Sequence, residues 1–292
     1  MVVQDCDHGI QADLALIETR LRQMLDRPTN LKLSQREPSQ VHASESIGAA
    51  MREAVFSGGK RIRPLLALRV ARILNSDAEL ALRAAAAVEL AHCASLVIDD
   101  LPCMDNASHR RGCPALHAHF GEPQSILAAF ALVALAADSV VADVRNGEEL
   151  AQLVAFQRRL LQTLDCNALI GGQAWDLKMT DRERRENARP LATSKTAPLF
   201  ELAVWAGGVS GVGWSNRLKQ LHQFARSLGL LFQAVDDYMD EDAREQDLLQ
   251  QQVQNLRAQL QSLGREGEEL QALVNHLVRS WSATLADKNV LR

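Results

Sequence analysis

Two groups of aspartates concentrate the chemistry of this chain. Asp99, Asp100 and Asp105 stand in the string DDLPCMD, at the end of the most apolar stretch. Asp236, Asp237 and Asp240 stand in FQAVDDYMD, with Gln233 one helical turn before Asp236. Carboxylates that follow a buried helix are costly unless a cation compensates them. In a regular helix residues 99 and 105 face different ways, but Pro102 disrupts the turn and lets Asp105 swing back. Residues 236 and 240 stack on one helical face, where like charges repel and a structural helix gains nothing. Cations come in three groups. GGKRIRP, residues 58–64, sets Lys60, Arg61 and Arg63 beside two glycines at a helix start, where free N–H groups also favour anions. Arg110 and Arg111 follow the first acid group, and Lys195 and Thr196 open a later helix. Carboxylates facing guanidinium and ammonium groups suit a polyphosphate gripped by divalent cations on one side and by protein cations on the other. Mg²⁺ fits because it prefers oxygen ligands shared between carboxylates and phosphates. Zinc is disfavoured, since no His or Cys pair has ligand spacing on a supporting element; the H-x-H of His117 and His119 lacks a third ligand.

The elements that must hold these groups read as helices. Aromatic residues make up 4% of the 292, and no run of alternating β-branched residues is present, so the chain is expected to be all-α. Apolar periodicity predicts helices over 11–26, 44–55, 64–74, 78–100, 123–143, 147–170, 195–208, 214–240 and 247–286. The segment 78–100 is apolar nearly all round, the mark of a helix at the centre of a bundle. Long loops are expected at 101–122 and 176–194, with the charged run 181–189 as a solvated loop. With 47% apolar and 23% charged residues the chain should fold around a large core, as a single domain. A formal net charge of -4 gives no global reason to bind nucleic acid. The longest apolar run, 126–137, is too short to span a bilayer, and the N-terminus has no secretory pattern. Five dispersed cysteines without a C-x-x-C pair fit a reducing compartment, so a cytoplasmic location is expected. Cys93, Cys103 and Cys113 read as small buried residues.

GGKRIRP, ELAHCASLVIDDLPCMDNASHRRGCPALHAHFGE, GGQAWDL, KTAPLF and FQAVDDYMD, in this order, resemble the trans-isoprenyl diphosphate synthases, the head-to-tail prenyltransferases. The likeness covers residues 46–243 of one polyprenyl synthetase domain, with 244–292 a divergent helical segment, and is strongest toward bacterial geranylgeranyl diphosphate synthases. It implies an all-α bundle around a deep central cavity, usually a homodimer. It further implies that Asp99, Asp100, Asp105, Asp236 and Asp240 bind three Mg²⁺ ions on an allylic diphosphate supported by Arg110, Lys195, Thr196 and Gln233. Gly59, Lys60, Arg63, His92 and Arg111 would hold the diphosphate of isopentenyl diphosphate. Metal ions and cations stabilise the departing pyrophosphate, so the allylic C–O bond ionises and the isopentenyl double bond attacks the cation. The last proton can leave to the pyrophosphate itself.

In that family the growing chain runs beside the first acid helix, so Ala94 and Ser95, about one turn (roughly 5.4 Å) deeper than Asp99, bear on product length. Neither is aromatic, and a C20 product is expected, with C15 next. After the second acid motif relatives continue with a Gly-Lys-Asp loop and a further lysine; this chain reads EDAREQDLLQQQVQNLRAQLQ instead, and Lys288 is no evident replacement. The shortened loop supports an alternative, a low-activity regulatory or binding subunit of a heteromeric synthase. A terpene cyclase also ionises diphosphates with aspartates and Mg²⁺, but has no need of a second diphosphate site.

Overall fold

The computed structural model describes residues 2–27, 38–210, 216–240 and 246–285; side chains are described for most of these, but not for 2–8, 38–42, 181, 185, 236–240, 246–249, 265, 280 or 282–285. Helices dominate. The first half comprises α1 (Val2–Leu25), α2 (Pro38–Phe56), α3 (Ile62–Leu74), α4 (Ala78–Asp99), the two-residue strands β1 (His109–Arg110) and β2 (Cys113–Pro114), α5 (Leu116–Phe120) and α6 (Glu122–Val140). The second half comprises α7 (Gly147–Thr163), α8 (Leu169–Asp176), α9 (Asp181–Glu186), α10 (Ala188–Lys195), α11 (Ala197–Gly207), α12 (Asn216–Asp240), α13 (Gln246–Ser262) and α14 (Gly267–Leu285).

Helix α4 is the axis of the bundle. Asp77 caps its start by accepting from the Glu79 and Leu80 N–H groups at 2.9 and 3.0 Å, satisfying two donors that a helix end leaves free. From there its small residues Ala84, Ala85, Ala86, Ala87 and Ala91 are fully enclosed, so neighbours approach on every side. Those neighbours are α1, α2, α3, α6, α7 and α11. Both α4 and α6 are long and apolar enough to cross a bilayer, but 83% of the α4 window is buried inside the fold, as a core helix requires; for α6 the share is 39%.

Four expectations need correction. Residues 147–170 form two helices, because the Asp165 carboxylate accepts from the Asn167 N–H at 2.5 Å and turns the chain. The single helix expected over 247–286 is two, α13 and α14, over its described residues: Gly264 takes φ +61° between them, and a Cβ on Gly267 would stand 2.2 Å from the Leu260 carbonyl oxygen. The charged run 181–189 carries α9 and the start of α10 rather than a loop. The Glu183 carboxylate accepts from the Thr180 N–H at 2.9 Å while the Glu183 N–H donates to Thr180 Oγ1 at 3.3 Å, a reciprocal N-terminal cap, and Arg182 pairs with Glu186 one turn on at 2.8 Å. The loop 101–122 contains the antiparallel pair Arg110↔Cys113 and then α5.

Candidate active site

The end of α4 is built to turn sharply. Asp100 closes the helix, and the Asp105 N–H then donates to the Asp99 carbonyl at 2.9 Å, so the backbone carrying the third aspartate folds back onto the first. Burial pushes the Asp99 carboxyl up to about 6; Lys195 and Arg110 oppose this, while the Asp105 and Asp100 carboxylates add to it. Asp100 is buried and accepts from Arg110 Nε at 2.9 Å and from its Nη2. That hydrogen bond, outweighing burial, holds the Arg110 pKa above its ordinary value. Among the described residues no three carboxylate, imidazole or thiol groups stand together as a metal site.

Across from this turn, GGKRIRP bends through positive φ at Gly58 (+112°) and Gly59 (+135°). Arg111, held out at φ +55° by the hairpin, donates to the Gly58 carbonyl. A Cβ on Gly59 would stand 2.5 Å from its guanidinium, so the glycine is needed both for its backbone and for the space. The three cations of this motif part company. Arg61 turns inward and donates to Glu18 at 2.8 Å, to Glu89 at 2.9 Å and to the Val55 carbonyl at 2.6 Å. Lys60 lies 5.3 Å from the Trp281 ring centroid and 5.8 Å from that of Phe232. Arg63 stacks on Phe200 at 4.6 Å and donates from Nη1 to His92 Nε2 at 3.0 Å. Arginine has no acceptor, so Nε2 must accept and the ring proton sits on Nδ1. Burial first, then Arg63 and Arg111, drive the His92 pKa well below its usual value, so the imidazole is neutral.

These groups share one cavity of about 600 Å³, whose wall includes Gly59, Lys60, Arg63, His92, Arg110 and Arg111. Leu96 and Phe232 line it too, and each lies about one helical turn before an aspartate group, on α4 and α12 respectively. Beyond it the Lys195 ammonium donates to Asp176 at 2.7 Å, and Arg184 Nε reaches the same carboxylate at 2.6 Å. Thr196 Oγ1 donates to Gln233 Oε1 at 2.7 Å, tying the start of α11 to α12.

The structure therefore brings Asp99, Asp100, Asp105, Arg110 and Lys195 into one electrostatic neighbourhood, and Gly59, Lys60, Arg63, His92, Arg110 and Arg111 into one cavity. Thr196 and Gln233 meet each other. The side chains of Asp236, Asp237 and Asp240 and all of residues 241–245 lie outside what the structure describes. Ala94 is enclosed in the core, whereas Ser95 is half-buried with its hydroxyl donating to the His92 carbonyl at 2.9 Å. Of the cysteines expected to be buried, only Cys93 is, with its thiol pushed up to about 12 by burial and then by Glu89; Cys103 is exposed and Cys113 intermediate. Sequence reading did not single out Glu89, Asp176, Phe232 or Trp281. Asp176 stood in the quoted string GGQAWDL, but nothing in the sequence ties it to Lys195.

The polyprenyl synthetase family matches residues 44–263. Geranylgeranyl pyrophosphate synthase 4 of Arabidopsis thaliana is 35% identical over 253 residues, which are 85% of this chain and 65% of that protein. This chain thus spans just under two thirds of that relative's length. Among solved structures, a geranyltransferase from Legionella pneumophila superposes with a TM-score of 0.80 at 27% identity, covering 96% of this chain and 99% of that one. An FPP/GFPP synthase from Zymomonas mobilis gives the same TM-score and identity, covering 94% and 99%.

Proposed function

The chain belongs to the polyprenyl synthetase family, and we propose that it is a head-to-tail prenyltransferase, condensing isopentenyl diphosphate with an allylic diphosphate to give geranylgeranyl diphosphate. One observation carries this reading. Lys60, Arg63, Arg110 and Arg111, with Arg61 engaged by Glu18 and Glu89, line a single cavity, and Arg110 joins it to the acid turn by donating to Asp100 at 2.9 Å. An enzyme that ionises one diphosphate needs the acid turn alone; the second cationic wall is what a second diphosphate requires.

The acid turn suits divalent metal. Its donors are hard oxygens, and burial, with the neighbouring Asp105 and Asp100 carboxylates, raises the cost of the Asp99 charge in a way that a bound cation would relieve. Asp99, Asp100 and Asp105, with Asp236 and Asp240 from α12, would hold the three Mg²⁺ ions that the resemblance implies. Bound Mg²⁺ would neutralise the charge that builds on the departing pyrophosphate.

The chain's own groups divide the remaining work. Lys195, steadied by Asp176, and Arg110, steadied by Asp100, present cations to the allylic diphosphate. Lys60, Arg63 and Arg111 bind the isopentenyl diphosphate through charge-assisted hydrogen bonds. Neutral His92 adds no charge; it orients Arg63 and keeps one N–H, on Nδ1, to donate. Half-buried Ser95, small and one turn deeper than Asp99, leaves room for a chain longer than fifteen carbons. A second copy of the chain supplies the natural cover for the outer face of α6, where Phe130 is 70% and Leu127 54% exposed, so the working form is a homodimer.

The test is incubation of the purified chain with Mg²⁺, labelled isopentenyl diphosphate and, in turn, dimethylallyl, geranyl and farnesyl diphosphates, followed by sizing of the products. C20 is expected. A C15 end product would move the floor of the cavity upward. Cyclic hydrocarbon without elongation would identify a cyclase, and no turnover with any primer would favour the subunit reading.

A further inference from the structure

A second cavity lies away from the acid turn, where the end of α1, the first half of α4 and the end of α6 meet. It encloses about 220 Å³, the share of roughly seven waters at ~30 Å³ each, and its wall includes Arg20, Arg27, Arg83, Ser139 and Asp143. Arg83 lies nine residues before His92 on α4, about 14 Å along the axis, so the two cavities are separate.

Three guanidiniums converge here with one carboxylate on the wall. Arg83 is buried and donates to the Ala142 carbonyl, with Glu149 3.5 Å and Glu79 3.8 Å away. Arg20 gives its Nη2 to Glu79 at 2.7 Å, while its Nε is buried and has no partner among the described residues. Ser139 is 3% exposed, and its hydroxyl likewise has no partner among the described residues. A buried donor left unmade is costly, and two on one small cavity point to an acceptor that belongs between them. The carboxylate that comes nearest to filling this role is Asp143, which takes Arg27 at 3.2 Å. It sits on a turn at φ +52° with its side chain 81% exposed, a loosely held partner that a better acceptor can displace.

We propose that this cavity is a binding site for a small phosphate-type anion. The anion accepts from Arg20 Nε and the Ser139 hydroxyl, lies against Arg83, and takes Arg27 from Asp143. Phosphate and pyrophosphate share the required chemistry, tetrahedral oxyanion groups matched to guanidinium forks, and both fit the volume. The proposal is independent of the reaction assigned to the larger cavity.

Titration calorimetry on the full chain in EDTA, with inorganic pyrophosphate and then inorganic phosphate, tests it. The cations of the large cavity also bind pyrophosphate, so the decisive measurements are made on K60Q/R111Q protein, in which that wall is weakened. One site should remain. Adding Ser139→Ala or Arg20→Gln should weaken it about tenfold, the loss of one charge-assisted hydrogen bond. Adding Asp143→Asn should tighten it, a gain that no merely structural role of Asp143 would produce; this exposed position leaves the fold intact, which the unfolding midpoint verifies. Pyrophosphate bound more tightly than phosphate would assign the site to a diphosphate, and equal affinity to a single phosphate group. Absence of residual binding with both anions, or residual binding indifferent to all three substitutions, would overturn the proposal.

Discussion

Arg61 is flanked by Lys60 and Ile62–Arg63 in a motif read as phosphate-binding, yet its guanidinium faces inward, and Arg61→Met separates the two roles. Methionine keeps the length of the side chain and, at φ +50°, carries the same left-handed backbone cost as arginine, so that contribution cancels. What changes is the fate of three acceptors. Glu89 is 1% exposed and loses the partner that holds it, a step that costs about 3–5 kcal/mol for a buried ion pair. The Val55 carbonyl loses its donor at about 1–3 kcal/mol, and Glu18, 28% exposed, returns to water at roughly 0–1 kcal/mol. These terms share one cavity and do not add, so a net loss of about 4 kcal/mol is expected. Burial lowers the Arg61 pKa, but Glu89 and Glu18 outweigh it and hold the pKa above its ordinary value, so the pair is ionised and breaking it from one side is the costly event. Urea unfolding at pH 7.5 reads the loss as a fall in midpoint at constant slope. In the Glu89→Gln background the same substitution should cost at least ~1.5 kcal/mol less, because no buried carboxylate is then stranded. Below the melting point of the variant, the KM for isopentenyl diphosphate should rise more than kcat falls, since Lys60 and Arg63 lose their shared anchor. A loss under ~1 kcal/mol, or a loss undiminished when Glu89→Gln is already in place, would refute the buried-pair argument.

Asp99→Asn should abolish turnover and yet stabilise the metal-free chain. A carboxyl whose pKa rises from 3.8 to about 6 on folding contributes stability below pH 4 that is lost as pH rises through 6, so at pH 7.5 the substitution recovers up to ~3 kcal/mol, read by urea unfolding in EDTA at pH 4 and 7.5; a destabilised Asn variant at the higher pH contradicts it. Trp281→Leu removes one aromatic face beside Lys60, and an exposed-to-buried cation–π contact of ~0.5–2 kcal/mol corresponds to a rise of roughly 2- to 30-fold in the KM for isopentenyl diphosphate with kcat unchanged; an unchanged KM would show that Phe232 alone positions the lysine. Ser95→Phe should shorten the product toward C15 with the fold intact, whereas Ala94→Phe, forced into a position 2% exposed, should cost ~1–3 kcal/mol; product sizing alongside thermal unfolding distinguishes the two, and equal stability would place Ala94 on the cavity rather than in the core.

What the sequence disclosed follows from how locally each feature is encoded. Helix α4 announces itself through apolar residues on nearly every face behind a capping aspartate, and the two acid groups are visible because aspartates crowd where a helix gains nothing from them. The breaks after α7 and α13 were hidden because they rest on an Asx turn and on two glycines inside otherwise periodic stretches. Helix α9 was missed although its signature, Thr180 followed by Glu183, is local; charge density masked it. Orientation was the least legible property. No pattern in GGKRIRP says that the Arg61 guanidinium is engaged by internal carboxylates, since the partners Glu18 and Glu89 lie on α1 and α4. Trp281 reaches Lys60 from the far end of the chain, a contact set by how α14 packs on α3 and α1.

The register of α4 explains why so much of the site depends on one helix. Glu89, His92 and Leu96 follow one another at three- and four-residue steps, so they line a single face, and all three contribute to the wall of the cavity. Asp99, the last residue of the helix, and Asp100, its C-cap, extend the same strip to the end of α4. Over ten residues, about 15 Å, the face passes from an anchor for the glycine-rich loop, through a neutral imidazole that orients Arg63, to the acid turn. A one-residue insertion between Leu90 and Leu96 would rotate Glu89 by about 100° relative to Asp99 and uncouple the cationic wall from the carboxylates without removing any of them. The enclosed alanines on the other faces hold that register, because α3, α6 and α11 approach closely only where side chains are small. Core packing and site geometry are thus one constraint: substitutions at Ala86 or Ala87, fully enclosed and lining neither cavity, should shift both diphosphate sites together, where Lys60→Gln would weaken one alone.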